Sequence, residues 1–298
     1  MKPRVSAFPK CYLEQIARNE MTVFEWIEMA KPLDADGLEM YEGFFSSLEA
    51  SYLDSIGEAI HGAGFAMPML CCSPDFTNPD AAARARAVER EIRMIAVTRR
   101  LGGRGAVCRV LSGPRYPQVS REQGLAWAAE CISACLPAAR EAGIVLGLEN
   151  HYKDGFWKYP EFAQKMDVFL ELLERIPERE FFGVQYDPSN AVVAGDDPVE
   201  LLRRVADRVV SMHASDRSLA EGTTIEELRQ GDGTLGYSPN LRHGVTGKGL
   251  NDYESIFSIL AAHQYRGWIS IEDGMNGMEE MAESLAFLRT MIARHFPA

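Results

Sequence analysis

Short apolar runs of five to seven residues alternate along the chain with longer stretches whose apolar positions recur every three or four residues. That alternation is the signature of strands followed by amphipathic helices, and it predicts a parallel sheet built from βα units. Eight strands are predicted: "RVSAF" (4–8), "DGLEM" (36–40), "FAMPML" (65–70), "AVCRVL" (106–111), "IVLGLE" (144–149), "FFGVQYD" (181–187), "RVVSMH" (208–213) and "GWISIE" (267–272). Between them "YLEQIARN", "SYLDSIGEAIHGAG", "AAARARAVEREIRMIAVTRRLG", "GLAWAAECISACLPAAREAG", "YPEFAQKMDVFLELLERI", "DPVELLRRVAD" and "YESIFSILAAHQY" carry the helical period, and several stop at glycine. Eight such units fit a (β/α)8 TIM barrel, which removes the edges an open sheet would have to cover. The 298 residues are read as a single domain, 1–298, with one extended loop after the seventh strand at about 216–250.

Composition narrows the function classes. With 31 Lys and Arg against 43 Asp and Glu, the formal charge of −12 repels a polyphosphate backbone, so nucleic acid is not an expected partner. The six cysteines form neither a CxxC pair nor a disulfide framework and several lie in apolar runs, as reduced core thiols in the cytoplasm would. The N-terminal "MKPRVSAFPKCY" lacks a secretory apolar region, and no apolar stretch is long enough to span a membrane. Homo-oligomeric association is left open.

In a TIM barrel the chemistry sits at the C-terminal ends of the strands. The last four predicted strands end on Glu149, Asp187, His213 and Glu272. One strand-end carboxylate is unremarkable, since it is usually solvated or caps the next helix. Four consecutive ends around one mouth bring three carboxylates and an imidazole together, and such like charges tolerate each other only if protons or a cation neutralise them. One divalent ion is the expectation: Mn²⁺ first, with Mg²⁺, Co²⁺ and Zn²⁺ as alternatives for mixed oxygen and imidazole donors. Its remaining positions suit adjacent oxygens of a hydroxy-ketone, and Glu149 and Glu272 on either side would pass the proton that forms and consumes an enediolate.

The segments "GIVLGLENH", "FFGVQYDPSNAVVAGDDP", "RVVSMHASDR" and "GKGLNDYESIFSILAAHQYRGWISIED", with "DADGLEM" early on, resemble the sugar phosphate isomerase/epimerase group with the xylose isomerase-like TIM barrel. The resemblance implies metal ligation by Glu149, Asp187, His213 and Glu272, an acid/base pair in Glu149 and Glu272, and a substrate-side position for Glu39. The chain departs from the pattern at Asn190, where epimerases commonly carry histidine, and at Ser215, where lysine is frequent. The implied function is a metal-dependent isomerase or epimerase of a keto-sugar or polyol. A lyase or dehydratase on a keto-polyol or 3-keto-glycoside begins with the same proton abstraction and remains an alternative, as does a barrel that binds sugar without chemistry. Apurinic-site endonucleases share the barrel but need more metal ligands and a basic groove.

Arg109, inside the fourth strand, needs a partner if buried, and a site carboxylate would serve. Arg109, His151, Asn190 and Arg217 are the further residues expected near substrate, and Lys153 and Trp157 share the His151 loop. "GRG" (103–105) and "GKG" (247–249) lack the spacing of a phosphate loop. His61, His243, His263 and His295 have no convergent partners in the sequence and are read as structural or solvated. No arginine cluster marks a phosphate pocket, so the expected carbohydrate is not phosphorylated.

Overall fold

A computed structural model describes residues 2–230, 241–272 and 274–297. One all-parallel sheet contains β1 (Arg4–Ala7), β2 (Gly37–Leu38), β3 (Met40–Tyr41), β4 (Met69–Cys71), β5 (Val107–Val110), β6 (Val145–Glu149), β7 (Phe182–Tyr186) and β8 (Val209–Ala214). A short antiparallel pair, β9 (Arg217–Leu219) and β10 (Leu241–His243), stands apart, and β11 (Trp268–Ile271) completes the main sheet. The order β2-β1-β11-β8-β7-β6-β5-β4-β3 brings its two ends together at one residue, Glu39. β2 and β3 are therefore one barrel strand interrupted where Glu39 turns inward, and the ring is an eight-membered barrel of the TIM type.

Local chemistry explains the frame. The helix Arg121–Ala142 starts on a Ser120/Gln123 capping box and stops at Gly143 in the left-handed region. Helix Val23–Ala30 was not predicted, although Thr22 and Glu25 supply the same capping box and Trp26, Ile27 and Ala30 bury its inner face. The closing helix Met278–His295 likewise lay outside the predicted set; it covers β11 and β1 with Met281, Leu285 and Leu288, all fully buried. Each inward-facing apolar stripe buries against the outer wall of the barrel, the term that dominates stability in such a fold.

The predicted long loop is partly ordered structure. After β8 the chain forms β9 and the helix Ile225–Gln230; its middle, 231–240, lies outside the described residues; β10 then returns. Residues 244–251 wrap the buried carboxylate of Asp216, which accepts from the backbone N–H groups of Arg217, Gly247, Gly249 and Asn251 at 2.9–3.2 Å. A side chain at Gly249 would place Cβ 2.3 Å from Asp216 Oδ1, and Gly247 has φ +88°, so "GKG" is an anion cradle filled by the chain's own aspartate.

Candidate metal centre and active site

The apolar strand "IVLGLE" ends on Glu149 because the barrel there meets a polar centre. Glu149 closes β6, Asp187 follows β7, His213 lies in β8 and Glu272 follows β11. One ligand atom from each of the four lies within 4.8 Å of the others. All four are buried, Asp187 and His213 completely. His213 Nδ1 stands 3.5 Å from Glu149 Oε1 and 3.4 Å from Glu272 Oε2. His213 Nδ1 and Asp187 Oδ2 have no hydrogen-bond partner, so a lone pair and a carboxylate oxygen point into the same space unsatisfied.

Neighbouring groups fix each member. His213 Nε2–H donates to Glu39 Oε2 at 2.8 Å, which sets the tautomer that leaves Nδ1 as acceptor. Glu39, expected on the substrate side, instead lies behind the imidazole with no exposure, because the break between β2 and β3 turns it into the barrel. Asp187 is also the N-cap of helix Pro188–Ala194: its Oδ1 accepts from Asn190 N–H at 3.0 Å and from the Ser215 hydroxyl at 2.7 Å. Asn150 clips the ends of β6 and β7 together, donating to Asp187 O at 2.6 Å and accepting from Asp187 N–H at 2.8 Å. Strand-end polar residues thus serve the site rather than solvent.

Two cations complete the centre. Arg109 donates to Glu149 Oε2 at 2.8 Å and also holds Cys72 O and Ser73 Oγ. Asn190 Nδ2 donates to Glu149 Oε1 at 3.1 Å, so both Glu149 oxygens are engaged. Lys10 donates to Glu272 Oε1 at 2.9 Å. Sequence reasoning missed Lys10, which lies three residues past β1 at the start of the 3-10 turn Lys10–Tyr12, too short to show a periodicity.

The electrostatics follow. Burial pushes Glu149 up, but Arg109, His151 and His213 hold it down to about 2. Burial likewise opposes ionisation of Glu272, and Lys10 and His213 outweigh it, leaving Glu272 well below the usual carboxylate range. Asp187 goes the other way: burial, with the charges of Glu272 and Glu149, pushes it up to about 8. Burial lowers His213, yet Glu39 and Glu272 drive it well above its ordinary value. Without a cation the cluster therefore takes up protons.

Glu39, Glu149, Asp187 and Glu272 bring four negative charges, and Lys10 and Arg109 return two. With His213 neutral, the remaining charge equals that of one dication. The unsatisfied atoms, the O₃N donor set and this balance fit a divalent metal, and the harder ions suit the three carboxylates. Glu149, Asp187, His213 and Glu272 are the residues that could hold it.

A cavity of about 710 Å³ adjoins the centre, lined by Lys10, Arg109, Glu272, His151 and residues of the 152–156 loop. His151 reaches that wall with its ring stacked on Tyr152, centroids 5.0 Å apart, and its Nδ1 3.7 Å from the buried Glu161 carboxylate. Glu161 in turn accepts from the Ser112 backbone N–H and hydroxyl. Neither Glu161 nor Ser112 was anticipated. Arg217 is buried with its guanidinium 4.9 Å from the Tyr152 ring, one residue removed from the cavity wall. Lys153 lines the cavity, whereas Trp157 does not. Among the described residues a second buried group, Cys72, Glu91 and Cys108, lies on the helix side of β5.

Comparison with known proteins agrees with this architecture. An inosose dehydratase of Geobacillus kaustophilus is 32% identical over 130 residues, 43% of this chain and 39% of the relative. The matched segments span about two fifths of the length of the first curated relatives. Among solved structures, a D-tagatose 3-epimerase-like protein superposes with a TM-score of 0.75 at 16% identity, covering 98% of each chain. A second, the IolI protein with a bound zinc atom, gives 0.74 at 13% identity, covering 99% of this chain and all of the other. The family model for the xylose isomerase-like TIM barrel matches residues 27–291, and the chain belongs to that family.

Proposed function

We propose that this protein is a divalent-metal-dependent enzyme that removes a proton beside the carbonyl of a neutral keto-sugar or keto-polyol. The observation that carries the reading is the convergence of Glu149, Asp187, His213 and Glu272 with a residual charge equal to one dication. When bound, the ion would polarise the substrate carbonyl and offset negative charge developing there. The chain's own groups do the rest. Glu272, paired with Lys10 through Oε1, lines the cavity and would take the α-proton; Arg109 and Asn190 keep Glu149 ionised and fixed. Lys10 and Arg109 are both consumed by carboxylates, so the centre itself offers no cation to a phosphate group and the reading is of a neutral sugar.

The site favours loss of water from the next carbon as the fate of the enediolate. The C–H electrons become the C=C bond, the neighbouring C–O bond breaks, and a proton completes the departing water. His151, backed by Glu161, lines the cavity as the donor to that oxygen. The inosose dehydratase relative points the same way. Reprotonation, giving isomerisation or epimerisation through Glu149 and Glu272, is the second reading, favoured by the approach of both carboxylates to His213 Nδ1 from different strands, at 3.5 and 3.4 Å. It asks Glu149 to exchange protons while both its oxygens are bound.

The experiment is proton NMR of cyclic and open-chain keto-polyols, inososes included, in D₂O with metal-loaded protein. Loss of water, with deuterium appearing on the carbon that lost its hydroxyl as the enol product ketonises, supports dehydration, and deuterium at the α-position without water loss supports reprotonation. Glu272→Gln should reduce either at least 10²-fold. Full exchange by Glu272→Gln, or none by the metal-loaded wild type on any substrate, overturns the proposal.

A further inference from the structure

The cavity is larger than the chemistry at its base requires. At about 710 Å³ it falls within the ~300–1,000 Å³ range that takes drug-sized ligands, more room than a lone sugar ring fills. It continues from Glu272 and Arg109 outward between the helix Leu13–Ala17 and the loop 151–156. Its outer part holds two of the large hydrophobic side chains that the molecule leaves exposed, Phe156 at 81% and Met275 at 40%. An exposed phenylalanine on a loop tip loses favourable burial unless something covers it. Here its backbone is pinned, with Phe156 N–H donating to Asp154 Oδ1 at 2.8 Å. Leu13 and Tyr152 extend the apolar wall, while Asp154 and Gln15 supply polar groups beside it.

We propose that the substrate is a glycoside whose sugar ring lies at the metal centre and whose second ring is held in this outer subsite against Phe156 and Met275. The inference rests on the neutral keto-sugar reading and adds what that sugar carries. Aromatic faces with polar neighbours recognise rings that have one apolar face, which a free monosaccharide at the centre would not reach.

The test is isothermal titration calorimetry of the metal-loaded protein with methyl and phenyl β-glycosides of 3-keto-glucose, 3-keto-galactose and 3-keto-xylose. For at least one sugar the phenyl glycoside should bind about tenfold more tightly than the methyl glycoside. Phe156→Ala, at an exposed position that tolerates truncation, should bring that ratio close to one. Equal affinities in the wild type, or a preference that survives combined Phe156→Ala and Met275→Ala, overturn the subsite while leaving deuterium exchange to judge the catalytic reading. Failure of every glycoside to bind a protein that holds metal and exchanges deuterium into free keto-polyols also overturns it. So does a change of oligomeric state in Phe156→Ala with the ratio intact, which makes the ring a contact between copies.

Discussion

Removing the cation from this centre and then raising the pH should lower folding stability, and restoring the cation should abolish the loss. Asp187, pushed up to about 8 by burial and by Glu272 and Glu149, has an unfolded value of ~3.9. A group with a raised folded pKa holds its proton more tightly in the native state. Its stabilisation is complete below the unfolded pKa and disappears as pH rises through about 8. His213 has the same sign: burial lowers it, the charges of Glu39 and Glu272 prevail, and its contribution is lost as pH rises through its elevated value. Glu149, held to about 2, and Glu272, also depressed, lose theirs only as pH falls through the acid range. Among the four ligand-type residues the window from pH 5.5 to 8.5 therefore isolates Asp187 and His213. At ~1.4 kcal/mol per pH unit, the Asp187 proton alone gives about 3 kcal/mol across that window. For a chain of this size that is ~5 °C in Tm. Scanning calorimetry of EDTA-treated and Mn²⁺-loaded protein at pH 5.5, 7.0 and 8.5 should show the decline in the first sample and a flat response in the second. Equal slopes in the two samples would refute competition between protons and a cation for this cluster.

Three further outcomes follow from single contacts. Glu39→Ala frees the His213 ring and should weaken metal binding by ~10–100-fold in a chelator competition, with Glu39→Gln intermediate because its amide oxygen still accepts; unchanged affinity would remove Glu39 from the centre. Arg109→Met leaves the Glu149 carboxylate buried without its cation and should cost about 3–5 kcal/mol in urea unfolding of the metal-free protein, with partial recovery on adding metal. Asp216→Ala empties the cradle that organises 244–251 and should cost about 2–4 kcal/mol by the same assay; a loss below ~1 kcal/mol would mean that the glycine loop holds its shape unaided.

The barrel was legible because its strands bury both faces, and a run such as "IVLGLE" stops being apolar where the strand leaves the core. The same logic placed Glu149, Asp187, His213 and Glu272 at adjacent strand ends, and the structure gathers these four within 4.8 Å. Residues reached through loops were not legible. Lys10 comes to Glu272 across 262 positions of sequence, and Glu161 meets Ser112 across 49. Nothing in local periodicity encodes such meetings. Glu39 is the instructive intermediate: its residue type and strand were readable, but its direction was set by a one-residue break between β2 and β3. Helix Val23–Ala30 was a different kind of omission, since its capping box was present and its eight residues were simply too few to stand out as a periodic segment.

What distinguishes this centre is therefore less the four ligand-type residues than the cations around them. Arg109 and Lys10 each neutralise one glutamate from the side away from His213, so the two carboxylates are anchored and strongly ionised. A carboxylate held that low is a good anion for a metal and a weak base in the resting state, and it becomes an effective base only where the substrate proton has itself been acidified. In the proposed reaction strong polarisation of the substrate carbonyl would then be required. His151, with Glu161 3.7 Å from its Nδ1, stands on the cavity wall outside the ligand set. In the proposed reaction a base at Glu272 and a donor at His151 would be separate groups with separate tasks, an arrangement that elimination uses and that simple return of a proton to the same carbon does not need.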